Sequence, residues 1–296
     1  MTAAGRGVVE PLHELSTARL LQILQVADAE AVAAAHAASE ATGRAVDALV
    51  EAWPRGGRLI YVGTGTSGRI GALDAAECRP TFGIEEDRVL AIVAGGAAAL
   101  ARAVEGAEDD EQAGIAKIAD LGAGPHDVVV ALSASGATPF TCAALEEAGR
   151  RGCRGVAVTA HPSSRLAAAA AIPIIVAVGD EVVDGSTRMK AGTAQKLVCN
   201  AISTAAFIRL GRVWGNRMVA VQAGNAKLRR RALAIVEALA GVEAEAARAL
   251  LEAAGGDLPT ALVMGKAGVD RAAAAKCLRR AHGNVPEALR LAGGGG

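Results

Sequence analysis

Aromatic residues are scarce in this chain of 296 residues, in which three Phe, two Trp and one Tyr make up 2% of the sequence. Sites that stack nucleic-acid bases or sugar rings depend on such side chains, so both kinds of site are disfavoured. An excess of charge of one sign is also missing, since 31 Lys and Arg balance 31 Asp and Glu. Without a basic field to attract phosphate backbones, we expect no nucleic-acid partner.

Cysteine is sparse, and its five positions lie far apart without a CxxC pair. The odd number and the wide spacing predict neither a disulfide framework nor a metal site, so we expect most of the cysteines to be small buried residues. No secretory apolar region opens the chain, and no run of about 18 apolar residues escapes interruption by Gly or charge. We therefore expect a soluble cytoplasmic protein with no membrane partner.

What the chain does contain is an alternation of short apolar runs and helix-length segments. Five apolar runs have the length of strands: 59–62, 89–93, 128–132, 155–159 and 172–178. A helical segment at 14–52 precedes them, and further helix-length segments lie between and after them: 68–78, 97–120, 139–151, 163–170 and 189–211. Because the runs lack polar alternation, they are typical of strands buried on both faces. The order predicts an α/β fold with a central parallel sheet flanked by helices.

After about residue 235 the pattern becomes purely helical and contains an internal repeat. Segments 249–262 and 276–289 both read helix, Gly-Asp/Asn-apolar-Pro, helix, with Asp257 or Asn284 placed to cap the second helix. One such hairpin is too small to bury a core alone, so we expect the two to pack together. The chain thus divides into three predicted parts, which are a helical arm (1–48), an α/β domain (49–235) and a small all-α domain with a Gly tail (236–296).

Two loops rich in Gly, Ser and Thr each follow a predicted strand and open a helix, GTGTSG at 63–68 and SASGAT at 133–138. Glycine lets the backbone approach a ligand, and a helix N-terminus favours an anion. The first loop matches a dinucleotide fingerprint but lacks the acidic residue that should end a second strand, and neither loop has a nucleotide P-loop Lys. We interpret the loops as a metal-free phosphomonoester site, with a plain strand–turn–helix connection as the alternative.

Carboxylates and cations cluster in three other segments. Glu77 lies in DAAECRPTFG and Glu108 in AVEGAEDD, but spacing alone does not separate either from a solvated helix surface. The segment 184–196 carries Arg188 and Lys190 ahead of an apolar helix, as either an anion-binding wall or a solvated helix start.

Together, the segments GTGTSGRIGALDAAECRPTFG (63–83), AVEGAEDD (103–110), SASGAT (133–138) and GSTRMKAGTAQKLV (185–198) closely resemble the N-acetylmuramic acid 6-phosphate etherases. These belong to the SIS (sugar isomerase) superfamily, as does the glucokinase regulatory protein. The resemblance covers nearly the whole chain. It implies an SIS-type central parallel sheet with a helical N-terminal arm and a small, ubiquitin-associated-like (UBA-like) C-terminal all-α domain.

The family resemblance also implies an activity. The expected lyase reaction cleaves the D-lactyl ether of N-acetylmuramic acid 6-phosphate to N-acetylglucosamine 6-phosphate and D-lactate, by elimination and then hydration, in the recycling of cell-wall amino sugars. It needs no metal or organic cofactor, and the implied assembly is a homodimer with sites near the interface.

The same resemblance assigns roles to residues. It makes Glu77 the acid/base that protonates departing lactate and Glu108 the second active-site carboxylate. It further implies that four hydroxyl residues contact the phosphate and the sugar: Ser67, Ser133, Ser135 and Thr138. It also implies that two cations, Arg188 and Lys190, contact the lactyl carboxylate.

Two alternative functions are a non-catalytic sugar-phosphate-sensing regulator and an aldose–ketose isomerase. The glutamates in full etherase motifs argue against the first, and the segments GSTRMKAGTAQK and ECRPTFG argue against the second.

Overall fold

The computed structural model describes residues 11–220 and 226–293. At its centre is a parallel sheet of five strands in the order β2-β1-β3-β4-β5. The strands are β1 (Leu59–Gly63), β2 (Val89–Val93), β3 (Val128–Leu132), β4 (Arg154–Thr159) and β5 (Ile172–Ile175). All five predicted strands and their parallel arrangement are confirmed.

Helices surround this sheet and form the arm and the C-terminal region. They are α1 (Thr17–Ala37), α2 (Ser39–Ala52), α3 (Gly65–Phe82), α4 (Ala98–Ala101), α5 (Glu111–Asp120), α6 (Pro139–Arg150), α7 (Arg165–Ala169), α8 (Lys190–Arg209), α9 (Ala226–Val236), α10 (Ala244–Ala253), α11 (Leu258–Ala267), α12 (Arg271–Arg280) and α13 (Val285–Gly293). Shorter elements are single turns at Leu12–Glu14 and Trp53–Arg55, a π-helical turn at Glu237–Gly241 and a small hairpin of β6 (Val213–Trp214) and β7 (Arg217–Met218).

Both faces of the sheet are covered, which explains the unbroken apolar runs. Successive strand residues point to opposite faces, so Leu59 and Tyr61 join the core formed with α1, α2, α3 and α8. Ile60 and Val62 join the core on the other face, formed with α5, α6 and α7. The sheet is therefore the middle layer of three.

One predicted helix, 97–120, is wrong in its middle. The chain leaves the helix after Ala101 and re-enters it at Glu111, so residues 102–110 form a loop. Gly106 takes a left-handed φ of 73°, and the Asp110 side chain caps α5 by accepting a hydrogen bond from the Ala113 N–H at 2.9 Å. The acidic residues that looked like a helix surface thus belong to a loop.

The C-terminal repeat is confirmed as two helical hairpins, α10–α11 and α12–α13. Asp257 caps α11 by accepting from the Thr260 N–H at 3.0 Å, and Asn284 accepts from the Glu287 N–H at 2.9 Å. The hairpins share one apolar core, to which Val219 and Ile235 also contribute. Each hairpin alone would leave this apolar surface in water.

The cysteines behave as expected for core residues. Cys78, Cys142, Cys153 and Cys199 are buried and unpaired, and burial raises the pKa of the Cys142 and Cys153 thiols to about 11. Within residues 11–220 and 226–293, no group of three His, Cys, Asp or Glu side chains is placed to hold a metal ion. In the same ranges, no helix has both the length and the apolarity that a membrane span requires.

A buried ion pair joins the amino ends of β1 and β3, at the opposite end of these strands from the two loops rich in Gly, Ser and Thr. The Arg58 side chain donates to Asp127 Oδ2 at 2.7 Å, and the Arg58 backbone N–H donates to Asp127 Oδ1 at 2.9 Å. Burial disfavours the charged carboxylate, but the hydrogen bonds from Arg58 and from the Gly124 N–H outweigh it and lower the pKa of Asp127 below its usual value.

We expect Asp127→Asn to lower the free energy of unfolding at pH 7 by about 2–4 kcal/mol, because it leaves a partly buried guanidinium without its counter-charge. A lowered pKa in the folded state gives stability that is complete above the unfolded-state pKa and is lost as pH falls through the folded-state pKa. The difference between wild type and variant, measured by urea unfolding, should therefore shrink steadily below about pH 4. Asp47→Asn, which removes the exposed partner of Arg209, is the control and should cost less than about 1 kcal/mol.

Candidate active site

The carboxyl ends of β1 and β3 lie side by side, because the chain runs from β1 to β2 on one side and returns to β3 on the other. In doubly wound sheets the crevice at such a reversal is where ligands bind. The two loops noted in the sequence follow these two strands. The strand order therefore places them against each other, although 64 residues of chain lie between them.

The first loop is held in shape by a close approach of backbone to backbone. A Cβ on Gly63 would lie 2.8 Å from the Gly68 nitrogen, and a Cβ on Gly68 would lie 2.7 Å from the Gly63 oxygen. Only glycine fits at either position. The helix that follows, α3, has Thr64 at its N-cap without a side-chain capping bond, so the N–H groups of its first turn are available to an anion.

The second loop is organised around the buried hydroxyl of Ser133. Its Oγ accepts from the Gly136 N–H at 3.1 Å and lies 2.8 Å from Thr138 Oγ1 and 3.4 Å from Ser135 Oγ. Gly136 has a φ of 65°, and a Cβ there would lie 2.3 Å from Ser164 Oγ. Ser133 thus positions the other two hydroxyls, while Ser135 is exposed and Thr138 is half-buried.

These loops form the walls of one cleft of about 430 Å³, which we call the sugar cleft. Its volume is within the range of small-molecule sites. Five of the residues predicted from the sequence come together in its walls: Ser67, Ser133, Ser135, Thr138 and Glu108. The lining is rich in hydroxyl groups and backbone N–H groups, and these are suited to a phosphate and a sugar.

Glu108 reaches the cleft because the loop 102–110 is tied to the second hydroxyl loop. The Glu108 carbonyl accepts from the Phe140 N–H at 3.0 Å, in the first turn of α6. Since Thr138 and Pro139 open that same helix, the bond holds a carboxylate next to the hydroxyl groups. Asp109 also lines the cleft.

Glu77 does not lie in this cleft. It is exposed on α3, about 18 Å along the axis from the first turn of that helix at 1.5 Å per residue. One turn before it on the same outward face is Leu73, whose exposed fraction is 54%. Within one chain, the two predicted glutamates are therefore apart.

The two predicted cations also lie outside the walls of the sugar cleft. Arg188 is exposed, and Lys190 is 2% exposed, with its Nζ 2.7 Å from Glu30 Oε2 on α1. Glu181 holds the start of α8 by accepting from the Lys190 N–H at 2.9 Å. That either cation meets a substrate carboxylate stays a prediction.

Several site residues were missed by the sequence interpretation. Thr64, Thr66 and Thr187 line the sugar cleft, and Gln195 stands directly behind it. The Ser67 hydroxyl donates to Gln195 Oε1 at 2.8 Å, while Gln195 is 1% exposed and its Nε2 has no partner in the described part of the chain. The sequence did contain a signal for these residues, because they lie within the loop 63–68 and the segment GSTRMKAGTAQKLV (185–198). Spacing gave no reason to prefer them.

A buried carboxylate sets the position of α3, which carries both the first loop and Glu77. Asp74 accepts from Tyr61 Oη at 2.7 Å, from Asn200 Nδ2 at 2.6 Å and from Ser203 Oγ at 3.2 Å. Burial raises the pKa of Tyr61 well above its usual value, so the phenol stays protonated and donates. These bonds join α3 to β1 and α8.

Two family models match parts of this chain. The family model of the glucokinase regulatory protein N-terminal SIS domain matches residues 42–148, and the SIS domain model matches residues 111–205. A solved phosphoheptose isomerase from Francisella tularensis superposes with a TM-score of 0.47 at 18% identity, over 64% of this chain and 100% of that chain.

Two curated relatives are much closer in sequence. The N-acetylmuramic acid 6-phosphate etherase of Symbiobacterium thermophilum is 50% identical over 85% of this chain and 84% of its own length. That of Rubrobacter xylanophilus is 46% identical over the same shares. Identity at this level over most of both chains shows that this chain belongs to the N-acetylmuramic acid 6-phosphate etherase family.

Proposed function

We propose that this protein is a carbon–oxygen lyase that removes D-lactate from N-acetylmuramic acid 6-phosphate and leaves N-acetylglucosamine 6-phosphate. The observation that carries the proposal is Glu108 in the wall of a cleft built from two hydroxyl-rich loops. The relatives support the substrate, since their names state it. A cytoplasmic location for this reaction stays a prediction from the sequence.

In this proposal the loops hold the phosphate and the sugar. Ser67, Ser135 and Thr138 contact them directly, together with the N–H groups of the first turn of α3, and Ser133 keeps the second loop in its binding shape. Such contacts need no metal, because hydroxyl and N–H donors satisfy the phosphate oxygens.

The chemistry is an elimination followed by a hydration. In the open-chain sugar, the aldehyde acidifies the proton at C2, and a carboxylate removes it while the C3–oxygen bond breaks. A second carboxyl protonates the departing lactate oxygen, and water then adds at C3 as a proton returns to C2. We assign the C2 proton or the water to Glu108 and the protonation of lactate to Glu77.

Because Glu77 lies outside the cleft of its own chain, we further propose that a second copy supplies it. The outward face of α3, where Leu73 and Glu77 are exposed, is suited to contact with that copy. In the resulting homodimer each site would hold Glu108 from one chain and Glu77 from the other. Covering Leu73 would also remove an apolar side chain from water.

The activity is tested by incubating the protein with N-acetylmuramic acid 6-phosphate in isotopically labelled water. We expect release of D-lactate, with label at C2 and C3 of the amino sugar product. Glu108→Gln and Glu77→Gln should stay folded and bind substrate, yet turn over about 100-fold or more slowly, the usual scale for a positioned acid or base. Glu51→Gln, exposed on α2 at the opposite edge of the sheet, is the control and should match wild type.

Other results of this experiment would point elsewhere. Absence of lactate release by folded protein contradicts the lyase proposal and favours a sugar-phosphate sensor. Label at C2 without lactate favours aldose–ketose isomerisation. Normal turnover by either Gln variant would remove that glutamate from the mechanism.

Mixed dimers test which chain supplies Glu77. Glu77→Gln and Glu108→Gln chains carrying different tags should form heterodimers in which one site has both glutamates and the other has neither. We expect such heterodimers to recover about half of the wild-type turnover, whereas each variant alone stays about 100-fold reduced. If the heterodimers are as inactive as the single variants, both glutamates act within one chain.

Two threonines at the start of α6, one at its N-cap and one in its first turn, test the role of the second loop. Thr138→Val removes a cleft hydroxyl, and we expect it to weaken binding of N-acetylglucosamine 6-phosphate about 5- to 50-fold by calorimetry. Thr141 is fully buried and its hydroxyl lacks a partner among the described residues, so Thr141→Val should leave binding unchanged and stability equal or higher. Equal affinities for the two variants would contradict the assignment of Thr138.

A further inference from the structure

A second recess opens from the sugar cleft at Glu108. It has a volume of about 240 Å³ and shares Thr64, Gly65 and Glu108 with the cleft. We call it the side recess. Glu108 therefore stands in the walls of both spaces.

The side recess differs from the sugar cleft in the chemistry of its walls. The walls consist mainly of methyl groups from five small apolar residues: Ala94, Ala99, Ala103, Val104 and Ala107. A hydroxyl-lined cleft thus leads into a smaller apolar space. The sugar and its phosphate match the first, and a small group with a methyl substituent matches the second.

One arginine stands in the wall of this recess. Arg69 is half-buried, and it donates from Nε to the Leu100 carbonyl at 3.3 Å and from Nη2 to the Arg102 carbonyl at 3.1 Å. Carbonyl groups orient a guanidinium without neutralising it. Among the described residues, no ion pair includes Arg69, and its side-chain hydrogen bonds come from Nε and Nη2 and not from Nη1. Its charge is therefore available to an anionic ligand.

We propose that the side recess binds the lactyl group of the substrate, with Arg69 on its carboxylate and the alanine methyls against its methyl group. This inference rests on the proposed function. It places C3 at the junction of the recess and the cleft, so that the neighbouring C2 proton lies within reach of Glu108. Arg69 is thus a specificity residue, because it distinguishes a sugar phosphate with an acidic ether substituent from one without it.

Glu105 also lines the recess, and its exposed carboxylate repels the group that Arg69 attracts. The repulsion is screened by water, whereas the contact with the half-buried Arg69 is short-range and directional. Attraction should therefore dominate, and Glu105→Gln should bind the lactyl carboxylate more tightly than wild type.

The test compares N-acetylmuramic acid 6-phosphate with its lactyl amide, which has the same shape without the charge. We measure kcat/KM and the dissociation constant for both compounds. The ratio of dissociation constants gives the preference for the acid over the amide even if neither compound is turned over. Wild type should prefer the acid about 10- to 100-fold, as expected for one charge-assisted contact. Arg69→Met should lose this preference, Arg69→Lys should keep part of it, and Glu105→Gln should increase it.

Two controls separate recognition from structure. Arg102→Met removes an exposed cation next to the recess and should keep the full preference for the acid. Arg69→Met should bind N-acetylglucosamine 6-phosphate, which has no lactyl group, within about twofold of wild type, because the hydroxyl loops that hold it are unchanged.

The outcomes are distinct for the two proposals. If wild type releases lactate but Arg69→Met keeps the preference for the acid, the recess assignment is wrong and the lyase function stands. If Arg69→Met loses affinity for N-acetylglucosamine 6-phosphate to the same extent as for the acid, Arg69 acts through the fold and the assignment is again wrong. If no lactate is released by any form, the lyase function fails, and the binding preference still decides what the recess holds.

Discussion

The buried carboxylate of Asp74 is the interaction on which the arrangement of the site depends. It is buried away from any described cation and is instead satisfied by donors from Tyr61, Asn200 and Ser203. Leaving such a group unpaired would be costly, so these three bonds favour the observed approach of the strand and the two helices. That approach fixes α3. The first hydroxyl loop then lines the sugar cleft, Arg69 lines the side recess, and Glu77 faces outward.

The second constraint is the strand order, which makes one binding edge from two distant loops. Each loop has hydroxyl groups and a helix N-terminus, and neither alone surrounds a ligand. The bond from the Phe140 N–H to the Glu108 carbonyl then adds a carboxylate to the hydroxyl loops. Binding groups and a proton-transfer group therefore share one frame, as pre-organised catalysis requires.

Much of the fold was predictable because it depends on local sequence. Apolar runs without polar alternation predicted the five strands, and Gly-Asp/Asn-apolar-Pro predicted the caps of α11 and α13 at Asp257 and Asn284. The error at 97–120 has a local cause too, since Gly106 takes a left-handed φ that composition does not reveal. The hydroxyl residues were predictable as a set, because both loops follow strands at the binding edge.

By itself, the sequence determined the parallel sheet, the two loops, the helical repeat and the family, because each of these depends on patterns of residues close together along the chain. Only the tertiary structure decided which side chains meet. It brought Glu108 to the cleft, left Glu77 on an outer helix face, and paired the buried Lys190 with the partly exposed Glu30. These contacts join residues far apart in sequence, and their geometry follows from how the helices pack on the sheet. No spacing rule encodes such distances.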